Sequence, residues 1–207
     1  TEDPVELLLA VKRAGARNLE RWYGPGEEDE ATARGRRPIV LVENIAELEA
    51  KGDAILAAVP TDQAEKIAGR GYAACVATTD VHEYGKLLLE HVMRGLDVET
   101  IDGGVSADPA RLVARAGESG ADFIALSTYN GMALSYLTRL REAMVAAGLD
   151  IPVYIGGRLN QVPDGSNTNL PVDVSGRLAE AGAVVCGDVD AMLNRLAGDA
   201  APADRAA

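Results

Sequence analysis

Asp80-Val81-His82-Glu83-Tyr84-Gly85 puts a carboxylate two residues before an imidazole and closes the pair with a glycine. A histidine that gives one ring nitrogen to a metal needs its other N–H held by an acceptor, and an aspartate at this spacing can reach it. Glycine lets a bulky group approach the backbone. An apolar run, Tyr72 to Ala77, precedes the stretch and reads as a buried strand. Lys86 to Met93 follows and reads as an amphipathic helix. Alone, the same six residues also suit an aspartate capping a helix beside a surface histidine.

Two further groups carry polar or close-approach chemistry. Ser127-Thr128-Tyr129-Asn130-Gly131 ends an apolar run, where a hydroxyl can bond a buried polar ligand atom or, alternatively, cap the next helix. Gly156-Gly157 ends another run, where paired glycines admit a flat ligand or simply make a turn. The loop after them, Arg158 to Pro171, is long and polar, with Asn160, Gln161, Pro163, Gly165, Asn167 and Asn169. Loops of that length are more often functional than short ones.

The elements that must position these groups alternate from residue 72 onward. Strands are expected over 72–79, 97–101, 122–127, 152–155 and 183–186. Helices are expected over 84–94, 107–118, 131–147, 172–181 and 188–197. Five strand–helix units predict a parallel sheet covered by helices on both faces. Ligands of such sheets bind outside the carboxyl ends of the strands, at the switch in strand order. All three groups fall on that rim. Gly103-Gly104 reads as a turn after the second strand and lacks the spacing of the dinucleotide fingerprint. His91 reads as a partly exposed helical residue.

Residues 1–71 read as a partly helical lead-in: a helix over 4–22 stopped by Tyr23-Gly24-Pro25-Gly26, a charged connector, the short apolar run Pro38 to Val42, and helical patches near 44–57 and 61–69. Residues 72–198 form the domain, and 199–207 an Ala/Asp/Pro tail expected to fray. The chain opens on Thr1, which reads as a fragment or a processed chain.

With 47% hydrophobic and 25% charged residues, the chain can bury a sizeable core. A formal net charge of -12 argues against nucleic-acid binding. No apolar run reaches the roughly 18 residues of a membrane span, and no secretory signal is visible, so a cytoplasmic location is expected. Cys75 and Cys186 sit in strand-like runs and read as small buried hydrophobes.

Taken in order, Asp80-x-His82-x-x-Gly85, Ser127-x-Tyr129 and Gly156-Gly157 resemble the three signatures of the B12-binding (cobalamin-binding) domain family, over about residues 70–198. The resemblance is strongest to the cobalamin modules of glutamate mutase and methylmalonyl-CoA mutase. It implies a flavodoxin-like (Rossmann-like) five-stranded α/β domain with a corrin on its carboxyl rim. It implies that the dimethylbenzimidazole tail leaves the cobalt for a slot between sheet and helix, and that His82 becomes the lower axial ligand. Asp80 would orient and polarise His82, the two forming the expected catalytic pair. Cofactor contacts are implied for Thr79, Asp80, Val81, His82, Glu83, Tyr84 and Gly85, for Ser127, Thr128 and Tyr129, for Gly156 and Gly157, and for Cys186 and Gly187. Ser127 would bond the buried tail, and the glycines would leave it room.

The chain departs from the family pattern at three places. Tyr129 stands where leucine is usual. Val76 stands where methylmalonyl-CoA mutases often carry lysine. Cys186-Gly187-Asp188 replaces the usual Pro-Gly-Thr. The second departure favours a glutamate-mutase-like assignment. The expected function is the adenosylcobalamin-carrying subunit or module of a carbon-skeleton mutase, an isomerase, in a hetero-oligomer whose barrel-type partner binds the substrate. A barrel of roughly 250 residues has no room in this chain. A corrinoid carrier for methyl transfer and a cobalamin sensor are the alternatives. The first would be preceded by a four-helix bundle, the second by a DNA-binding or signalling element.

Overall fold

A computed structural model describes residues 42–162 and 170–198. The expected helix 4–22, its stop, the charged connector, most of the Pro38–Val42 run, Pro163, Gly165, Asn167, Asn169 and the tail lie outside the described residues. The chain divides into two units between Ala46 and Glu47, and the sheet belongs to the second.

Helix α1 spans Val42–Ala58 and α2 spans Thr61–Ala68. Pro60, at φ -58°, separates them; it has no N–H to continue a helix and suits the start of a new one. Strand β1 (Ala73–Thr78), helix α3 (Tyr84–Gly95), β2 (Glu99–Gly104), α4 (Pro109–Glu118), β3 (Phe123–Thr128), α5 (Ala133–Ala147) and β4 (Val153–Gly157) follow. A two-stranded ribbon of β5 (Asn160–Gln161) and β6 (Val172–Asp173) precedes α6 (Ser175–Glu180), β7 (Val184–Cys186) and α7 (Val189–Gly198).

The main sheet has five strands in the order β2-β1-β3-β4-β7, every pair parallel. This is the flavodoxin-like arrangement, with the switch in direction between β1 and β3. All six residues of β1 are buried, whereas the edge strand β2 buries only Ile101 fully. Alternate side chains feed two cores, one per face. Cys75, Ala77, Ile124, Leu126 and Ile155 pack under α4 and α5. Ala74, Val76, Phe123, Ala125 and Tyr154 pack with Leu48, Ile67, Leu88, Met93 and Met192 of the helices on the other face. Both cysteines are buried, and burial pushes the Cys75 thiol up to about 11.

Local chemistry sets several boundaries. Asp108 accepts N–H bonds from Ala110 and Arg111, both at 3.1 Å, ahead of Pro109 in the first turn of α4. Gly148, at φ +65°, closes α5 in the left-handed conformation. Three expectations are corrected. Asp97 adopts φ +57°, which delays the second strand to Glu99. Gly103-Gly104 is therefore the end of β2 and not a turn after it. Gly103 is skipped in the register, where Val76 pairs Asp102 and Ala77 pairs Gly104, and a side chain there would strike Leu112 and the Val76 carbonyl. The helix expected from 172 starts at Ser175, because Val172 and Asp173 pair with Gln161 and Asn160. The Asp173 carboxylate accepts from the Ser175 N–H at 3.1 Å and from its hydroxyl at 3.0 Å.

One polar cluster runs from the interior to the surface. Lys86 and Glu90, one turn apart on α3, are buried and ion-paired; Lys86 Nζ also meets Asp102 Oδ1 at 2.9 Å, and Glu90 Oε2 accepts from Arg94 at 3.0 Å. Removing Lys86 takes away the buried partner of the Glu90 carboxylate and leaves it Arg94 alone. Lys86→Ala is therefore expected to cost about 3–5 kcal/mol and Lys86→Met less, read from chemical denaturation. Equal stability of Lys86→Ala and wild type would contradict this.

Candidate functional site

The ends of β1, β3 and β4 meet through the backbone. In register, Thr78, Ser127, Gly156 and Cys186 form one row across β1, β3, β4 and β7. The Thr79 N–H donates to the Ser127 carbonyl at 3.0 Å, the Arg158 N–H to Thr128 at 2.8 Å, and the Val162 N–H to Gly131 at 2.9 Å. The three loops are thereby fixed against one another at the switch in strand order, the ligand position of such sheets.

Asp80 is the hub of that junction. It is 3% exposed. Its Oδ1 accepts the His82 backbone N–H at 2.9 Å and meets His82 Nδ1 at 2.6 Å. Its Oδ2 accepts the Tyr129 and Asn130 N–H groups at 2.9 and 3.2 Å, and the Thr79 hydroxyl at 3.4 Å. Burial pushes the carboxyl up, but the bonds from His82 and Tyr129 outweigh it and hold the group below its ordinary value. Asp80 is therefore a carboxylate at neutral pH. The stability it contributes is complete above the unfolded value of about 4 and is lost as pH falls through the lowered folded value.

A carboxylate at Nδ1 selects the Nδ1–H tautomer of His82 and leaves Nε2 with its lone pair. Half of the His82 side chain is exposed, against 2% for Asp80. The pair thus presents one oriented imidazole nitrogen at the rim. The alternative role for Asp80, a helix cap, is not what the structure shows. Glu83 stands at the cap of α3, and Asp80 bonds its own loop and that of β3. Nor does Ser127 cap α5, whose cap position is Met132.

Next to this pair lies a cavity of about 340 Å³ on the α3/α7 face of the sheet. Tyr84, Gly85 and Leu88 of α3 form one wall, Val189 and Met192 of α7 another, and Lys51 and Ile55 of α1 a third. Ala125, Ser127, Tyr154 and Gly156 line it from the sheet. The cavity exists because β3 and β4 present Ala125, Ser127 and Gly156, which leave the space a larger side chain would fill. Its volume is in the range of small-molecule pockets.

The glycines have structural reasons of their own. A side chain at Gly85 would collide with Ser127 Oγ, so α3 sits on β3 only without one. Gly157 adopts φ +98° and a side chain there would collide with the Thr128 backbone. Gly85, Gly156 and Gly157 all line the cavity, together with Cys186 and Gly187.

Among the other expected residues, Tyr84 lines the cavity and is 46% exposed, and Val81 is 72% exposed on the rim. Thr79 and Thr128 are buried. The register places Thr128 beside Gly157, one residue on from Ser127 and so on the opposite face from it. Among the described residues, the Thr128 hydroxyl has no hydrogen-bond partner. His91 is a partly exposed residue of α3 bound to Asp53 at 2.8 Å. Sequence reasoning missed Lys51, Ile55, Val189 and Met192 as cavity walls. It also missed the stacking of Arg158, whose Cζ lies 4.2 Å from the Tyr129 ring centroid.

Among the described residues, no group of three or more His, Cys, Asp or Glu could hold a bare metal ion. No described helix is long and apolar enough to cross a membrane.

The chain resembles two solved structures. One is a novel cobalamin-binding protein from Desulfitobacterium hafniense DCB-2, at 22% identity and TM-score 0.48, over 68% of this chain and 63% of that one. The other is the methanol:cobalamin methyltransferase complex MtaBC from Methanosarcina barkeri, at 15% identity and TM-score 0.49, over 83% of this chain and 63% of that one. The chain spans less than two thirds of the length of either. No curated protein matches it. Residues 69–181, more than half of the chain, match the model of the B12 binding domain. The chain therefore belongs to the B12-binding domain family and is a cobalamin-binding module.

Proposed function

We propose that this chain is the cofactor-carrying part of an adenosylcobalamin-dependent carbon-skeleton mutase, holding cobalamin base-off with His82 as the lower axial ligand. The observation that carries the ligation is the Asp80–His82 contact of 2.6 Å, near a cavity that Ala125, Ser127 and Gly156 leave open on the sheet. The residues fit the group. A corrin brings its metal already held by four ring nitrogens, so the protein needs to offer one ligand and not a cluster. That matches a lone oriented imidazole. A nucleotide tail off the metal would need a separate pocket, and the cavity beside Tyr84 and Gly85 would offer one.

In this reading Asp80 fixes the His82 tautomer and accepts more of its Nδ1 proton as Nε2 donates outward. Ser127 offers a hydroxyl to the tail, and Leu88, Val189 and Met192 exclude water from it. The bound cofactor supplies the homolysis that starts radical rearrangement, chemistry that belongs to the cofactor and not to these side chains. A barrel-type partner binds the substrate. The mutase assignment rests on the resemblance to the mutase modules.

The test is reconstitution of the complex purified through this chain. With adenosylcobalamin it is expected to rearrange a glutamate-like acid or an acyl-CoA thioester, and the isolated chain is expected to turn over nothing. Methyl transfer from methylcobalamin between a donor and an acceptor, with no rearrangement, would overturn the mutase reading in favour of a corrinoid carrier.

A further inference from the structure

Tyr129 packs between two side chains of the rim, His82 and Arg158. Its ring centroid lies 4.3 Å from that of His82, tilted by 38°. Its backbone N–H is bound to Asp80 Oδ2, while His82 is bound to Oδ1 of the same carboxylate. One buried carboxylate thus anchors both the imidazole and the ring that covers it. The Arg158 guanidinium lies over the Tyr129 ring, Cζ 4.2 Å from its centroid. Arg158 is set in place by the left-handed Gly157 and by its own N–H bond to Thr128.

A hydrogen bond at Nδ1 fixes one edge of an imidazole but leaves the ring free to rock about that bond. His82 is half exposed, so little else restrains it. A ring packed against one of its faces removes that freedom, and a cation over the packed ring favours the arrangement electrostatically. Leucine at this position would supply contact without a planar face.

We infer that Tyr129, held under Arg158, is a positioning residue that fixes the rotation of the His82 imidazole and so favours the histidine-on state of bound cobalamin. The inference rests on the reading of His82 as the lower ligand. Tyr129 acts through its ring and not its hydroxyl, so phenylalanine suffices. The Asp80 contact of residue 129 is made by its backbone, so substitution leaves that bond in place.

The experiment uses the full chain saturated with cob(II)alamin, and reads by electron paramagnetic resonance the fraction of cobalt carrying a protein nitrogen. Tyr129→Phe is expected to match wild type. Tyr129→Ala and Tyr129→Leu are expected to lower the ratio of histidine-on to histidine-off roughly three- to tenfold, with broadened nitrogen lines. Arg158→Ala is expected to fall between. Thermal melts followed by circular dichroism identify any variant that has lost the fold; Tyr129 is 44% exposed, and its loss is expected to leave the melt near wild type. A wild-type ratio and line shape in folded Tyr129→Ala overturns the inference while leaving His82 as the ligand. Absence of a protein nitrogen in the wild type itself overturns the His82 reading, and this inference with it.

Discussion

His82→Ala is expected to abolish the protein-nitrogen signal of bound cob(II)alamin and to weaken cobalamin binding by more than the roughly 10–100-fold typical of changing a ligand's supporting partner. The fold should survive. In the variant, residue 82 still offers its backbone N–H to Asp80 Oδ1, and Tyr129 and Asn130 still bond Oδ2. Asp80→Asn should lie within that 10–100-fold range and also lower stability. An amide has one acceptor oxygen where the carboxylate serves donors on both, so an NH₂ group would face either the His82 donors or the Tyr129 and Asn130 N–H groups. His91→Ala should leave ligation intact, since His91 is engaged with Asp53 on α1. Loss of the nitrogen signal in His91→Ala, with retention in His82→Ala, would make His91 the ligand and contradict this.

Ala125→Leu is the second change of large effect. Ala125 is fully buried in the central strand and lines the cavity without closing it. Leucine places three further carbons into that space, and unlike a change at Gly157, at φ +98°, it demands no left-handed backbone. Full-length cobalamin should lose affinity by roughly 100-fold, about 3 kcal/mol, the upper range for overfilling a packed site. Cobinamide, which lacks the nucleotide tail, should change little. Parallel titrations decide it. Equal losses for both ligands would mean that the cavity does not hold the tail.

The alternation of apolar strands with amphipathic helices was legible because buried parallel strands such as Ala73–Thr78 are continuous apolar runs, and because Asp108-Pro109 and Gly148 mark helix ends by local chemistry. The Asp80–His82 contact was legible for the same reason: a single loop residue, Val81, separates partners that meet within the loop. What the sequence hides is what distant packing decides. Lys86 and Glu90 have the pattern of a solvated helix face, yet both are buried, with the exposed Asp102 and Arg94 as their outer partners. The paired residues of β5 and β6 are too few for any periodicity. Arg158 looks like the first residue of a polar loop. Only the turn at Gly157 brings it over Tyr129. Lys51 and Ile55 precede the family-matched region by more than ten residues, and their place in the cavity wall follows from the docking of α1 alone.

Electron paramagnetic resonance of the cob(II)alamin complex, prepared with nitrogen-15-labelled protein and unlabelled cofactor, tests histidine ligation most directly. Each superhyperfine component is expected to split into two lines, from the single nitrogen-15 of His82 at the cobalt, and to lose that splitting in His82→Ala. A three-line pattern from the unlabelled base of the cofactor would mean that the nucleotide stays on the metal, and would contradict the account at its centre.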